Sequence, residues 1–374
     1  MKSRGNRKKE PTPVFSPGRI LITLLLATIL LAGDSSWVWR NAESLTRYGQ
    51  ADDGTITGFA RIPDSLGRAI RPELARLGSH SSGLIIAFQT ASPEIRIRWS
   101  VLHGTQLPHM PLTGVQGLDL YAVDPVREDW NYVGTAKWWE KDTLSHNTTL
   151  LENWTGGLRP YALFLPLYDG IDSLFVGVPE EYILEKTSLF DEQSKPVIIY
   201  GTSITQGGCA SRPGMAYPAI LSRRLHHEVL NFGFSGNGRL DPEMADYLAT
   251  LPASLLVIDA LPNVSAEDVE QKLTDFIRRF RSQSNVPLLV IPNISYGHED
   301  DNRKTGDALA IKDKAYVKVR EMCKKTGIRD VTFMSSKRIR FDDDEGTVDG
   351  VHLTDLGMKR HADNLYTSIR KKIK

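Results

Sequence analysis

The run Val197-Ile198-Ile199-Tyr200-Gly201-Thr202-Ser203-Ile204-Thr205-Gln206 decides the fold of this chain. Apolar, mostly β-branched residues end abruptly in Gly-Thr-Ser, and Gly207-Gly208 follows. A short apolar run bounded by turn residues reads as a buried parallel strand that hands over to a tight turn. In open α/β sheets, ligands bind outside the carboxyl ends of the strands. Ser203 therefore stands where a hydroxyl would meet a crevice. Gly-Thr-Ser after a strand is also ordinary turn chemistry, so the serine alone decides nothing.

Downstream of this run the rhythm is strand, helix, strand, helix. Met215 to His227 reads as a helix, Val229 to Phe232 as a second strand and Pro242 to Leu248 as a short helix. Ser254 to Asp259 is a third strand, after which Ser265 caps a helix with Asp268 three residues on. Val269, Leu273, Phe276, Ile277 and Phe280 make the buried stripe of that helix. Pro287 to Ile291 is a fourth strand, Gly306 to Lys325 a helix, Asp330 to Met334 a fifth strand and Thr354 to Lys372 a closing helix. The pattern predicts a five-stranded, doubly wound parallel sheet of flavodoxin-like kind over residues 191–374.

Polar residues follow the strands of this sheet. Gly201-Thr202-Ser203 follows the first, Gly233-Phe234-Ser235-Gly236 the second and Ala260-Leu261-Pro262-Asn263 the third. An acidic loop after the fifth leads to Asp349-Gly350-Val351-His352. Acyl transfer requires a nucleophile, a base, an acid that orients the base, and donors for the oxyanion. Each residue has an ordinary structural reading, a turn or a helix cap. Their joint occurrence, in order and each after its strand, points to one site.

The set Gly201-Thr202-Ser203-Ile204, Gly236, Asn263 and Asp349-Gly350-Val351-His352 resembles the sequence blocks of the SGNH (GDSL-type) hydrolases. The resemblance implies Ser203 as nucleophile, with His352 and Asp349 as the base pair. It also implies Ser203, Gly236 and Asn263 as oxyanion donors. Thr202 stands where the family commonly has aspartate, and the third block reads Asp259-Ala260-Leu261-Pro262-Asn263 where Gly-x-Asn-Asp is usual. No cofactor and no metal are implied, and no Cys/His spacing suggests a zinc site.

From Trp37 to about Phe190 alternating strands are expected, with no helix. Glu94 to Val101 places Ile95, Ile97, Trp99 and Val101 on one face, and Leu84, Ile86 and Phe88 alternate just upstream. Such spacing predicts an all-β jelly-roll or β-sandwich domain over 37–190. Six of the seven tryptophans fall after Trp37 and before residue 155, and read as core or sheet-edge residues rather than a sugar-stacking face. Within this half, Gly117-Leu118-Asp119-Leu120-Tyr121 looks like the Gly-x-Asp-Leu-Tyr signature of the β-domain preceding one SGNH esterase subgroup. That resemblance implies a carbohydrate esterase removing acetyl groups from polysaccharide. Asp119 and Tyr121 point away from the face of Leu118 and Leu120, toward either a structural or a substrate contact. The join Asp191 to Lys195 is too short for a free linker, so the two domains are expected to be neighbours sharing a substrate groove.

The ends of the chain bound its setting. Lys2, Arg4, Arg7, Lys8 and Lys9 precede an apolar run from Ile20 to Gly33, the layout of a secretory signal peptide over residues 1–36. This run of 14 residues is short for a membrane span, but the poor cleavage site leaves an uncleaved N-terminal anchor open. Export, periplasmic or secreted, is the expectation. The formal net charge of +1 argues against an electrostatic nucleic-acid binder. Two cysteines, Cys209 and Cys323, are too few for a disulfide framework. The expected function is an exported serine esterase acting on acylated carbohydrate. A lipase, arylesterase or thioesterase with the same triad competes with it, as does a glycan-binding protein with an inert hydrolase domain.

Overall fold

The computed structural model describes residues 36–51, 54–124, 126–127, 129–139, 143–335, 339–340 and 343–373. Except for Ser36, the expected leader or anchor lies outside the described residues. The first half begins with β1 (Trp37–Asn41), β2 (Thr46–Tyr48), α1 (Asp64–Ile70) and α2 (Pro72–Gly78). Next come β3 (Ile85–Thr90), β4 (Ile95–Val101), the single turn α3 (Leu112–Val115) and β5 (Asp119–Val123). Then follow β6 (Trp130–Thr135), β7 (Ser145–Leu151), β8 (Arg159–Phe164), β9 (Ile171–Pro179) and the short β10 (Glu185–Lys186). They form two antiparallel sheets, one in the order β1-β9-β4-β7, the other β10-β3-β8-β5-β6 with β2 on β3.

The Ser92-Pro93 turn thus carries the chain from one sheet to the other. The inner faces meet in one core: Ile86 and Phe88 from β3, Ile95, Ile97 and Trp99 from β4, Leu120 from β5, Leu163 from β8, Val176 from β9. Trp138 and Trp154 pack on this core and Trp130 on a smaller outer cluster, in keeping with most tryptophans reading as core residues, whereas Trp139 is exposed. The expectation of no helix before residue 190 fails at α1 and α2. Leu66, Ile70, Leu74 and Leu77 have helical spacing, but Arg71 is extended and splits the run into two segments of seven residues. Each is too short to show a clear period. The pair pack closely because Gly67 lies against Ala75, where a Cβ would come within 2.5 Å of the Ala75 backbone.

The second half is the parallel sheet. Its strands are β11 (Val197–Gly201), β12 (Val229–Gly233), β13 (Leu255–Asp259), β14 (Leu288–Val290) and β15 (Val331–Phe333), in the order β12-β11-β13-β14-β15. The helices are α4 (Ser203–Gln206), α5 (Tyr217–Leu225), α6 (Pro242–Thr250), α7 (Val269–Arg281), α8 (Arg303–Lys325) and α9 (Asp355–Arg370). β11 to β14 are buried throughout and read as mostly apolar runs, while β15 at the sheet edge is half-buried. Ile198, Tyr200, Leu256 and Ile258 face a core with α6, α7 and α8. Val197, Ile199, Leu255 and Val257 face another with α5 and α9. Gly201 is level with Gly233 on one side and Asp259 on the other, so three strands end together and release their loops at one edge.

From Val38 onward the two halves form one compact unit. Ala51, Ile62, Leu74 and Leu77 of the first half join the core of α6, α7 and α8. Met110, Val115, Leu167 and Tyr168 join the core of α5 and α9. Arg61 is fully buried between the halves and donates to the carbonyls of Leu77, His80, Asn231 and Gly233. Burial lowers its guanidinium to about 9. Among the described residues no helix is long and apolar enough to cross a membrane.

Candidate active site

Ser203 opens α4 at the carboxyl end of β11, on the topological switch between β12 and β13. Thr202 is the helix cap, its hydroxyl accepting from the Ile204 N–H at 3.3 Å. That role explains how threonine serves where an aspartate would also cap. α4 is held from both halves. Gln206 donates to the Leu167 carbonyl at 3.0 Å and accepts from the Ser235 N–H at 2.9 Å, while Ser82 donates to the Gln206 carbonyl at 2.6 Å. The Tyr168 hydroxyl donates to the Ser203 carbonyl at 3.3 Å. The nucleophile turn is thus held by residues of both halves.

Ser203 Oγ lies 2.9 Å from His352 Nε2. His352 Nδ1 donates to Asp349 Oδ2 at 2.7 Å, which fixes the tautomer and leaves Nε2 as the acceptor for the serine hydroxyl. Asp349 also receives the backbone N–H groups of Val351 and His352, at 3.1 and 2.8 Å. Partial burial opposes its charge, but these hydrogen bonds and the imidazole outweigh it and hold the carboxyl at about 2. Gly350 permits this tight Asp-x-x-His turn: its φ is +87°, and a Cβ there would sit 2.7 Å from His298 Nδ1. Ser203 is 8% exposed, nearly closed off yet reachable.

The remaining predicted residues lie on the adjoining loops. Phe234 donates to the Gly201 carbonyl at 3.1 Å, and Asn263 Nδ2 donates to the Phe234 carbonyl at 3.3 Å. The two strand-end loops are therefore tied to each other and to β11. Gly238 lets them close: a Cβ would fall 1.9 Å from the Gly201 carbonyl oxygen. Among the described residues, no acceptor engages the N–H of Ser203 or of Gly236. Lys312 on α8 clasps the turn bearing Asn263 by donating to the carbonyls of Leu261 and Pro262, at 3.0 and 3.3 Å. Burial pushes this ammonium down to about 8. Asp259 is buried and accepts from Tyr217 at 2.8 Å, so it anchors the floor beneath the turn.

The Gly-x-Asp-Leu-Tyr segment reaches the same region. β5 is buried along its whole length because its outer face lies on the second half, which masks the expected alternation. Asp119 accepts from Arg212 at 2.6 Å, the Gly214 N–H at 2.9 Å and Thr135 at 2.7 Å. Tyr121 accepts from Arg212 at 2.7 Å. Burial raises the Asp119 carboxyl, against the pull of Arg212 and the other donors. Burial likewise opposes the Arg212 charge, but Asp119 and Tyr121 raise it overall, and with this set of partners the pair is ionised. Of the two readings of this motif, the geometry supports the structural one. Next to Arg212, Ser211 donates its N–H to Asp355, three residues past His352, at 2.8 Å. Sequence reading missed Arg212, Gln206, Lys312 and Tyr168, whose partners lie in remote segments.

A polar cleft of about 90 Å³ adjoins the histidine turn, lined by Tyr296, Glu299, Asp300, Arg340 and Thr347 among others. Its wall is bonded to that turn, the Gly297 N–H donating to the Gly350 carbonyl at 2.8 Å. Both cysteines are free and buried. Burial pushes the Cys209 thiol up to about 12.

Residues 194–370 match the profile of the GDSL-like Lipase/Acylhydrolase family, and residues 37–184 that of the N-terminus of Esterase_SGNH_hydro-type. A Bacteroides ovatus protein assigned as a GDSL-like lipase is 31% identical, with a TM-score of 0.83, covering 90% of this chain and 98% of that one. The salicylyl-acyltransferase SsfX3 of a tetracycline biosynthetic pathway shares the fold at 20% identity and a TM-score of 0.69, over 90% of this chain and 97% of its own. A family two carbohydrate esterase of Clostridium thermocellum, solved with cellohexaose, does so at 14% identity and a TM-score of 0.55, over 78% and 93%. The comparison with curated proteins returned no match.

Proposed function

Because the chain belongs to the GDSL-like lipase/acylhydrolase family, and is thus a carboxylic ester hydrolase, we propose that it cleaves O-acetyl esters on carbohydrate through Ser203, His352 and Asp349. The observation that carries the proposal is the continuous relay from Ser203 Oγ to His352 Nε2 at 2.9 Å and from His352 Nδ1 to Asp349 at 2.7 Å. His352 takes the hydroxyl proton as Ser203 attacks the ester carbonyl. Asp349, held anionic, stabilises the imidazolium that forms. The oxyanion is received by the Ser203 and Gly236 N–H groups and the Asn263 amide. Collapse expels the sugar hydroxyl with the proton from His352, and water then releases acetate by the same route.

The substrate class rests on the polar, acid-lined cleft beside the histidine turn, which suits hydroxyl groups better than an acyl chain. The fold shared with the cellohexaose-bound esterase lends support. Export is inferred from the basic residues and apolar run ahead of Gly33. Release of acetate from a panel of acetylated glycans, set against p-nitrophenyl esters of two to ten carbons, tests the reading. The expected result is acetate from at least one glycan, with aryl ester rates falling as the chain lengthens. Rates rising with chain length, without glycan deacetylation, would make the protein a lipase-type enzyme instead.

A further inference from the structure

Three side chains distant in sequence meet at the mouth of the site: His109 from the loop before α3, Cys209 from the segment after α4, and His352. One ligand atom from each lies within 4.8 Å of the others. The rings of His109 and His352 are 5.7 Å apart at their centroids. His109 is exposed and Cys209 buried, so the group has an open side and a closed one. Cys209 has φ +68°, a left-handed backbone that side chains disfavour, and it holds the thiol within reach of both imidazoles.

We propose that His109, Cys209 and His352 form an inhibitory site for zinc or a similar borderline-soft divalent cation. Zinc takes thiolate and imidazole ligands in a tetrahedron, with water free to fill the fourth position. The bond lengths of such a site put its ligand atoms roughly 3.5 Å apart, so the present spacing closes with a small turn of the exposed His109 ring. The Nδ1 of His352 is engaged by Asp349, which leaves Nε2 to bind. A carboxylate that fixes one imidazole nitrogen while the other faces a metal is the common support of a zinc-bound histidine. The pair that readies His352 to take a proton thus readies it to hold a cation.

On binding, the Cys209 thiol gives its proton to solvent and its sulfur to the metal. Nε2 gives its lone pair to the metal and lets go of Ser203. No oxidation is involved. Magnesium and calcium, which prefer oxygen ligands, are excluded by the donor set. His109 comes from the first half and the other two from the second, so the ion also ties the halves together. The inhibition rests on the base role proposed for His352; the binding rests on geometry alone.

The test uses the full-length protein stripped with a chelator, then titrated with zinc chloride, cadmium chloride or magnesium chloride. Zinc is expected to stop ester hydrolysis, reversibly with chelator, and to raise the melting temperature; magnesium does neither. Cadmium is expected to give a thiolate-to-metal absorption band. Cys209→Ala keeps hydrolysis, loses the band and weakens zinc inhibition by roughly tenfold or more. Cys209→Gly suits the left-handed backbone and guards against misfolding of the alanine variant. His109→Ala keeps the band and weakens inhibition similarly. No band in the native protein, a band that survives loss of Cys209, or zinc inhibition unchanged in these variants overturns the proposal. A native protein with the band and the stabilisation but no esterase activity would retain the metal site and remove the proposed function.

Discussion

Ser203, His352 and Asp349 differ in how far their placement is local. Asp349 and His352 are fixed within one turn by two backbone hydrogen bonds and a ring contact, so their three-residue spacing is the local part of a site that reads as one only with its other members. Ser203 follows a buried strand at once, but reads as a nucleophile only beside the other strand-end residues. Asn263 is a different case: its turn is held by Lys312, 49 residues further on, and only the fold reveals the clasp. If its amide acts on the oxyanion, Asn263→Ala lowers kcat by about a hundred- to a thousand-fold with KM nearly unchanged. Steady-state kinetics with a small aryl acetate checks this; a raised KM at constant kcat would make it a binding residue.

At the level of elements, the α/β half was readable nearly strand by strand because each strand is an apolar run closed by turn residues. α1 and α2 were not, since seven-residue helices split by an extended Arg71 show too little period. Nor was the partner of β5, because Arg212 lies 93 residues away in sequence. Removing one member of a buried ion pair strands the other, at about 3–5 kcal/mol. Asp119→Ala is therefore expected to lower stability to urea by that order; a midpoint within error of the native one would show the motif is not structural. Lys312 gives a signed pH effect. Its folded value of about 8 lies below the ordinary lysine value of about 10.4, so between them the unfolded chain binds more protons. Stability should gain from this group as pH rises from about 8 to about 10. Urea melts of native protein and Lys312→Met across that range check it: the variant should lack the gain.

For the whole molecule, the two halves share cores, and the first half buttresses the turn of Ser203. The short join at Asp191 to Lys195 foretold neighbours, but not that Ile62, Leu74 and Leu77 would complete the core of the parallel sheet. Burying side chains of that size contributes about 1.5–3 kcal/mol each, and Arg61 caps the same boundary. Residues 191–374 expressed alone should thus be insoluble or lack near-ultraviolet circular dichroism; a soluble, folded, active fragment would make the first half an accessory. The central claim, a serine hydrolase working through Ser203, is tested most directly in the intact protein by a fluorophosphonate followed by peptide mass mapping. One phosphonyl group is expected, on Ser203, with ester hydrolysis lost in proportion to labelling and neither event in Ser203→Ala. Hydrolysis that persists after complete labelling, or a label on another residue, would contradict it.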